Sequence, residues 1–172
     1  KCATFTEGKQ VGQTLVVPIQ VTGITGHNVL RSNSVERRLV NGVRGSLKNT
    51  DGEWAFWKEN DSISVTFDVG SRKRLGCVSL GYLNDFGLGT HKPYNVEVWL
   101  SDNDVHYWKV SERVFERDEV FVEGRFVKDL ELKFEDVARY VRVIMKGAGK
   151  CPERHVRPGL EAQIYLDEVL IE

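Results

Sequence analysis

Ala138-Arg139-Tyr140-Val141-Arg142-Val143-Ile144-Met145, followed after a loop by Ile164-Tyr165-Leu166-Asp167-Glu168-Val169-Leu170-Ile171, is the part of the sequence that decides the fold. Tyr140, Val141, Val143 and Ile144 are β-formers flanked by Arg139 and Arg142, so the first segment reads as a strand with one apolar face and charged edges. The second gathers apolar residues around Asp167-Glu168 and then stops. This predicts a chain that closes inside its own sheet, as a complete domain does.

Working outward, Ser62-Ile63-Ser64-Val65-Thr66-Phe67-Asp68-Val69 alternates strictly, with Ile63, Val65, Phe67 and Val69 on one face of a half-buried strand. Further strands are expected over 75–83, 94–101, 105–110, 119–127 and 129–134. Val96, Val98 and Leu100 face one way with Trp99 opposite, and the turn cluster Ser101-Asp102-Asn103-Asp104 predicts a hairpin into His106-Tyr107-Trp108. No segment keeps a helical period, so many short strands with polar turns predict an all-β, antiparallel sandwich. The first 38 residues read as an extension or a peripheral strand of the same domain. Within them, Thr14 to Val21 has strand composition, but Pro18 removes a ladder donor and marks an edge or bulge. Asn33 to Val40 reads as a short solvated helix or turn.

The 172 residues fit one domain with a substantial core, and 41% hydrophobic and 28% charged residues are ordinary for a soluble protein. A net charge of −1 gives no general attraction to nucleic acid or anionic membrane. No apolar run approaches the roughly 20 residues of a membrane span, and no signal peptide is evident, so Lys1 reads as the start of a mature form or an excised piece. Of the three cysteines, Cys77 lies in an apolar run and reads as a small buried hydrophobe, while Cys2 and Cys151 are free to pair or not. Metal-type spacing such as Cys-x-x-Cys is absent, which argues against zinc.

Leu39-Val40-Asn41-Gly42-Val43-Arg44-Gly45-Ser46, followed by Asp51-Gly52-Glu53-Trp54, reads as a compact loop that either satisfies itself or holds a cation. An Asn/Asp-Gly loop leading to a tryptophan, an alternating strand ending near Asp-Val-Gly, Pro93-Tyr94-Asn95-Val96-Glu97-Val98, the Ser-Asp-Asn-Asp turn with Trp108, Ala-Arg-Tyr-Val-Arg-Val and a closing Asp-Glu-Val follow in order. Together they resemble the discoidin-type domain of coagulation factors and the family 32 carbohydrate-binding modules. Leu39 to Ser46 is especially similar to the version found at the C-terminus of bacterial β-hexosaminidases of glycoside hydrolase family 20. The resemblance covers about residues 39 to 172.

That resemblance implies a jelly-roll, galactose-binding-domain-like sandwich whose loops at one end bind sugars, with a structural calcium nearby. The matching metal positions are Asn41 and Glu168, with Ser46 or Asp51 adding oxygens; Asn41 replaces a carboxylate with a neutral carbonyl, which Ca²⁺ also accepts. The competing reading is a loop closed by its own hydrogen bonds. Sugar recognition needs an aromatic face and polar groups on loops held by a rigid frame. In 54–61, Trp54 matches the tryptophan that packs under the family's sandwich, while Trp57 reads equally as buried or exposed. Asn84, Asp85, Phe86 and His91 in the second loop, and Arg154, His155 and Arg157 in the third, complete the carbohydrate-binding candidates. The hexosaminidase version carries Trp-His where this chain has Arg154-His155, so stacking there is in doubt.

No pair stands out among 25 acidic residues as a glycosidase dyad, and no Gly-x-Ser-x-Gly, His-Glu-x-x-His or phosphate-loop motif occurs. The expectation is a non-catalytic module, secreted, periplasmic or at a bacterial cell surface. It would tether an attached or neighbouring glycoside hydrolase to galactose- or N-acetylhexosamine-type glycans. The alternative is a structural appendage that packs against a catalytic domain and binds no sugar. Phospholipid binding, known for some discoidin-type domains, has little here to support it.

Overall fold

The computed structural model describes residues 4–6, 9–11, 19–25, 35–58 and 62–172. In chain order the elements are β1 (Thr4–Thr6), β2 (Lys9–Val11), β3 (Gln20–Thr25), α1 (Val35–Arg38), β4 (Ala55–Trp57), β5 (Ile63–Asp85), β6 (Asn95–Ser101), β7 (Trp108–Val114), α2 (Arg117–Val120), β8 (Arg125–Lys146) and β9 (Ile164–Ile171).

The two long strands β5 and β8 run through both layers of an antiparallel β-sandwich. Ile63 to Asp68 pairs with Met145 back to Tyr140, and Lys73 to Asp85 pairs with Ala138 back to Arg125, with the register broken between Asp68 and Lys73 and again between Leu75 and Cys77. Their first-layer halves are extended by β3 on one side and by β6 and β7 on the other. Their second-layer halves are extended by β9 and then β4. At the change of layer Arg139 clamps Asp68, donating from Nε at 3.0 Å and from a terminal nitrogen at 2.8 Å. That bidentate geometry fixes the bend.

The alternation seen in the sequence fills the space between the layers. Ile63, Val65, Phe67 and Val69 of β5, Val96, Val98 and Leu100 of β6, and Val141, Val143 and Met145 of β8 are all buried. Leu130, Leu132, Leu166, Val169 and Ile171 meet them from the second layer in one continuous cluster. A smaller cluster, Trp54, Leu83 and Tyr165 with Phe56 and Val127, covers a separate patch.

Five expectations change, the first being that the strands expected over 62–69 and 75–83 are one strand, β5. The strand expected over 119–127 begins only at Arg125, because a capping box between Glu116 and Glu119 nucleates the single-turn α2 and turns Val120 and Phe121 into the core. The segments 129–134 and 138–145 are one strand, β8. The second hairpin strand starts at Trp108, because Asn103 Oδ1 accepts from the amides of Val105 and His106 and lengthens the turn. Cys77 is buried as expected but disulfide-bonded, and Cys151 is a free buried thiol, so Cys151 does not pair with Cys2. Cys2, Asn33, and Thr14 to Pro18 lie outside the described residues. Of the strand expected over Thr14 to Val21, Gln20 and Val21 belong to β3, an edge strand bulged between Val21 and Gly23. No helix among the described residues is long and apolar enough to cross a membrane.

Candidate functional site

The connection from β5 to β6 and the connection from β8 to β9 lie against each other at one rim. Asp85 and Thr90 exchange backbone hydrogen bonds at 2.8 and 3.0 Å, closing a tight turn over Phe86 to Gly89. His91 N donates to Gln163 O at 2.9 Å, and Gln163 N returns the bond to Gly89 O at 2.9 Å. Gly89 sits at φ +75°, and a Cβ there would stand 2.9 Å from Leu160 Cδ2, so a side chain at this position would be strained where the two connections touch. The second connection is pinned internally by Cys151 N to Leu160 O at 2.8 Å and His155 N to Pro152 O at 2.9 Å.

Beneath this rim runs a buried chain of hydrogen bonds. The Asn84 amide nitrogen donates to Val122 O and Gly124 O, both at 3.0 Å, which turns Asn84 Oδ1 toward His91 Nδ1 at 3.1 Å. His91 Nδ1 therefore carries a proton, and its Nε2 is left as a bare lone pair. That lone pair faces His155 Nε2 at 3.1 Å, and His155 Nδ1 accepts from the Arg157 amide at 2.9 Å. His155 is thus the Nε2–H tautomer and donates to His91. His91 and His155 are 1% and 3% exposed, and Phe121 and Phe86 wall the pair with ring centroids 5.0 Å from His91 and 4.0 Å from His155. Burial and then the neighbouring His155 hold His91 down at about 4, and burial followed by Arg157 lowers His155 as well. Both rings are neutral, as the chain requires. The Cys151 thiol joins them: its Sγ and the two imidazoles offer ligand atoms all within 4.8 Å of one another.

The carbohydrate-binding candidates thus divide. Asn84, His91 and His155 are brought together but spend their polar atoms inside the protein. Trp57 is fully buried in the main core and presents no face to a ligand, because the register of β4 against β9 turns Phe56 outward onto Tyr165 instead. Trp54 is buried as expected, with its ring flat on Gly45, where a Cβ would stand 2.4 Å away. Asp85 accepts from Leu88 N at 3.1 Å and pairs with Arg125 Nε at 2.8 Å. Phe86 is half-buried, Arg154 is exposed and pairs with Asp118, and Arg157 is exposed. Phe86, Arg154 and Arg157 therefore form the part of the set that faces solvent. Arg125, Asp118 and Cys151 were not singled out by the sequence; the four-residue spacing of Cys151 and His155 was the available signal for the last.

The loop 39–53 folds over β9. Val169 N donates to Leu39 O at 2.7 Å, Gly42 N to Glu168 Oε2 at 2.9 Å, and Gly45 N to Asp167 Oδ2 at 2.9 Å. Asp167 also meets Arg44 Nε at 3.2 Å. Glu168 is 4% exposed, and burial, with Asp167 beside it, pushes its carboxyl up to about 8. The other expected ligands face elsewhere in part: Asn41 Oδ1 accepts from Val43 N at 2.8 Å and its amide donates to Glu53, while Asp51 accepts from Ser46 N at 2.6 Å. Among the described residues the acidic groups here do not converge into a cluster of three.

No family model matches the sequence, and no curated protein matches it. Solved structures do. The fifth family 32 carbohydrate-binding module of a Clostridium perfringens family 89 enzyme, determined with GalNAc-β-1,3-galactose, is 16% identical with a TM-score of 0.52, covering 89% of this chain and 94% of its own. The third such module of a family 31 glycoside hydrolase from the same organism is 11% identical with a TM-score of 0.56, covering 89% of each chain. The family 32 module of AlyQ, in complex with 4,5-unsaturated mannuronic acid, is 16% identical with a TM-score of 0.50, covering 88% and 95%. The chain has the discoidin-like β-sandwich fold of the family 32 carbohydrate-binding modules.

Proposed function

We propose that this chain is a non-catalytic carbohydrate-binding module. The observation that carries the reading is Phe86, half-buried on the rim with one side against His155 and next in sequence to Asp85, which Arg125 pairs, while Arg154 and Arg157 are exposed on the facing connection. An aromatic face and exposed arginine donors, on loops locked by backbone bonds, suit a sugar ring and its hydroxyls. Galactose- or N-acetylhexosamine-type termini are the class we assign, supported by the GalNAc-β-1,3-galactose held by the family 89 neighbour. Attachment to a glycoside hydrolase is supported by the family 31 neighbour, and an extracytoplasmic location by the disulfide at Cys77. A single site of this size should bind in the millimolar to high micromolar range. A glycan array followed by calorimetry at millimolar sugar tests the reading, and silence in both rejects it.

We also propose a structural calcium at the loop 39–53, a reading that rests on Glu168. The buried Glu168 carboxylate, met by amide N–H groups and crowded by Asp167, is a group that a cation would neutralise. Glu168 and, from the exposed loop, Asn41, Ser46 and Asp51 would hold Ca²⁺, which would supply charge balance and fix the loop on β9. The second reading, a scaffold that binds no sugar, draws on the burial of Trp57, Asn84, Asp85, His91 and His155, which removes five of the eight expected contact residues.

A further inference from the structure

The geometry points to a second, different metal site: His91 Nε2, His155 Nε2 and Cys151 Sγ bind one borderline-soft divalent cation of the Zn²⁺ class beneath the rim. The two imidazole nitrogens stand 3.1 Å apart. Two nitrogens on a tetrahedral zinc with bonds of roughly 2.0–2.1 Å must be about 3.3 Å apart. The thiol sulfur and one ring nitrogen of each imidazole lie within 4.8 Å of one another, so the three side chains can close on one cation by side-chain shifts.

The surroundings fit the same role. Asn84 Oδ1 accepts a hydrogen bond from His91 Nδ1–H, and the Asn84 amide nitrogen is held by two main-chain carbonyls, which is the kind of supporting contact that aims a metal-ligating imidazole. Phe86 and Phe121 pack on the two rings and hold them in place. One sulfur and two imidazole nitrogens select Zn²⁺ over Ca²⁺ or Mg²⁺, which require oxygen. The fourth position is left to water. On binding, the thiol proton of Cys151 is released to solvent. His155 moves its proton from Nε2 to Nδ1, and the Arg157 amide, which lies in an exposed turn, rotates away from that nitrogen. The histidine–histidine hydrogen bond and the metal are thus alternative ways of tying the two connections together.

Cobalt reports the site directly. Protein freed of metal with EDTA and titrated with Co²⁺ should develop a thiolate-to-cobalt charge-transfer band that saturates at one equivalent, is displaced by Zn²⁺ and is lost in Cys151→Ser. Absence of the band in the native protein, or its undiminished persistence in Cys151→Ser, overturns the proposal. A second measurement needs no variant: one equivalent of Zn²⁺ should slow modification of the Cys151 thiol by about tenfold or more, since a metal-bound thiolate is a poor nucleophile. An unchanged rate also overturns it. Neither experiment reads sugar binding, so this site and the glycan reading stand or fall separately.

Discussion

Replacing Glu168 by glutamine in calcium-free protein should remove a pH dependence that the wild type shows. The Glu168 carboxyl has an ordinary value of 4.5 and is raised to about 8 in the folded chain, mainly by burial and then by Asp167, against the opposing Gly42 amide. Between those values the folded protein holds a proton that the unfolded chain has lost. Stability therefore falls as pH rises through this window, by about 1.4 kcal/mol per unit, and the loss is on the order of 3 kcal/mol at pH 7. For a chain of this size that is roughly 6–12 °C in Tm. Glutamine keeps the volume and the acceptor for Gly42 N without titrating. The assay is thermal or urea unfolding of both proteins in EDTA at about pH 5 and about pH 7.5. The difference between them cancels the other titrating groups: the variant should gain on the wild type as pH rises, and Ca²⁺ should restore the wild type only. Parallel curves for the two proteins, with no separate calcium response, would refute the reasoning.

Trp57→Ala should cost about 3–5 kcal/mol in chemical denaturation, because the ring is fully buried in the main core, while sugar affinity of the folded fraction stays unchanged. Gly89→Ala should destabilise by roughly 1–3 kcal/mol, since the residue is at φ +75° and its Cβ would press on Leu160; differential scanning calorimetry measures it. Asp68→Asn breaks the two-pronged contact with Arg139 and should cost about 1 kcal/mol at neutral pH, discounted for the partial exposure of Arg139. Asp68 is held below its ordinary 3.8, first by the Arg139 hydrogen bond, so this contribution is present above that value and lost as pH falls below it. Acid unfolding should show the wild type and the variant converging at low pH.

The strict alternation of Ile63 to Val69, the Val96–Val98–Leu100 face and the closing strand were legible because period-2 patterning against a single core leaves no choice of face. The long strands were read as shorter pieces because the register breaks in β5 and the charged run around Glu135 and Asp136 look like turns in one dimension. Phe56 and Trp57 sit next to each other, and which one faces the core follows from pairing with Tyr165 and Ile164, more than 100 residues away. His91 and His155 read as sugar contacts rather than as a buried pair, because burial of a polar ring needs both nitrogens matched. Here the match comes from Asn84 and from His155, 64 residues beyond His91, which no local pattern encodes.

Titration calorimetry of the wild type and Phe86→Ala against galactose and N-acetylgalactosamine, each at millimolar concentration, tests the central claim most directly. The account predicts weak saturable binding by the wild type and a loss of about 1.4 kcal/mol, roughly tenfold in affinity, when the half-exposed ring is removed. Unchanged affinity in the variant, or no heat from the wild type with either sugar, would contradict it.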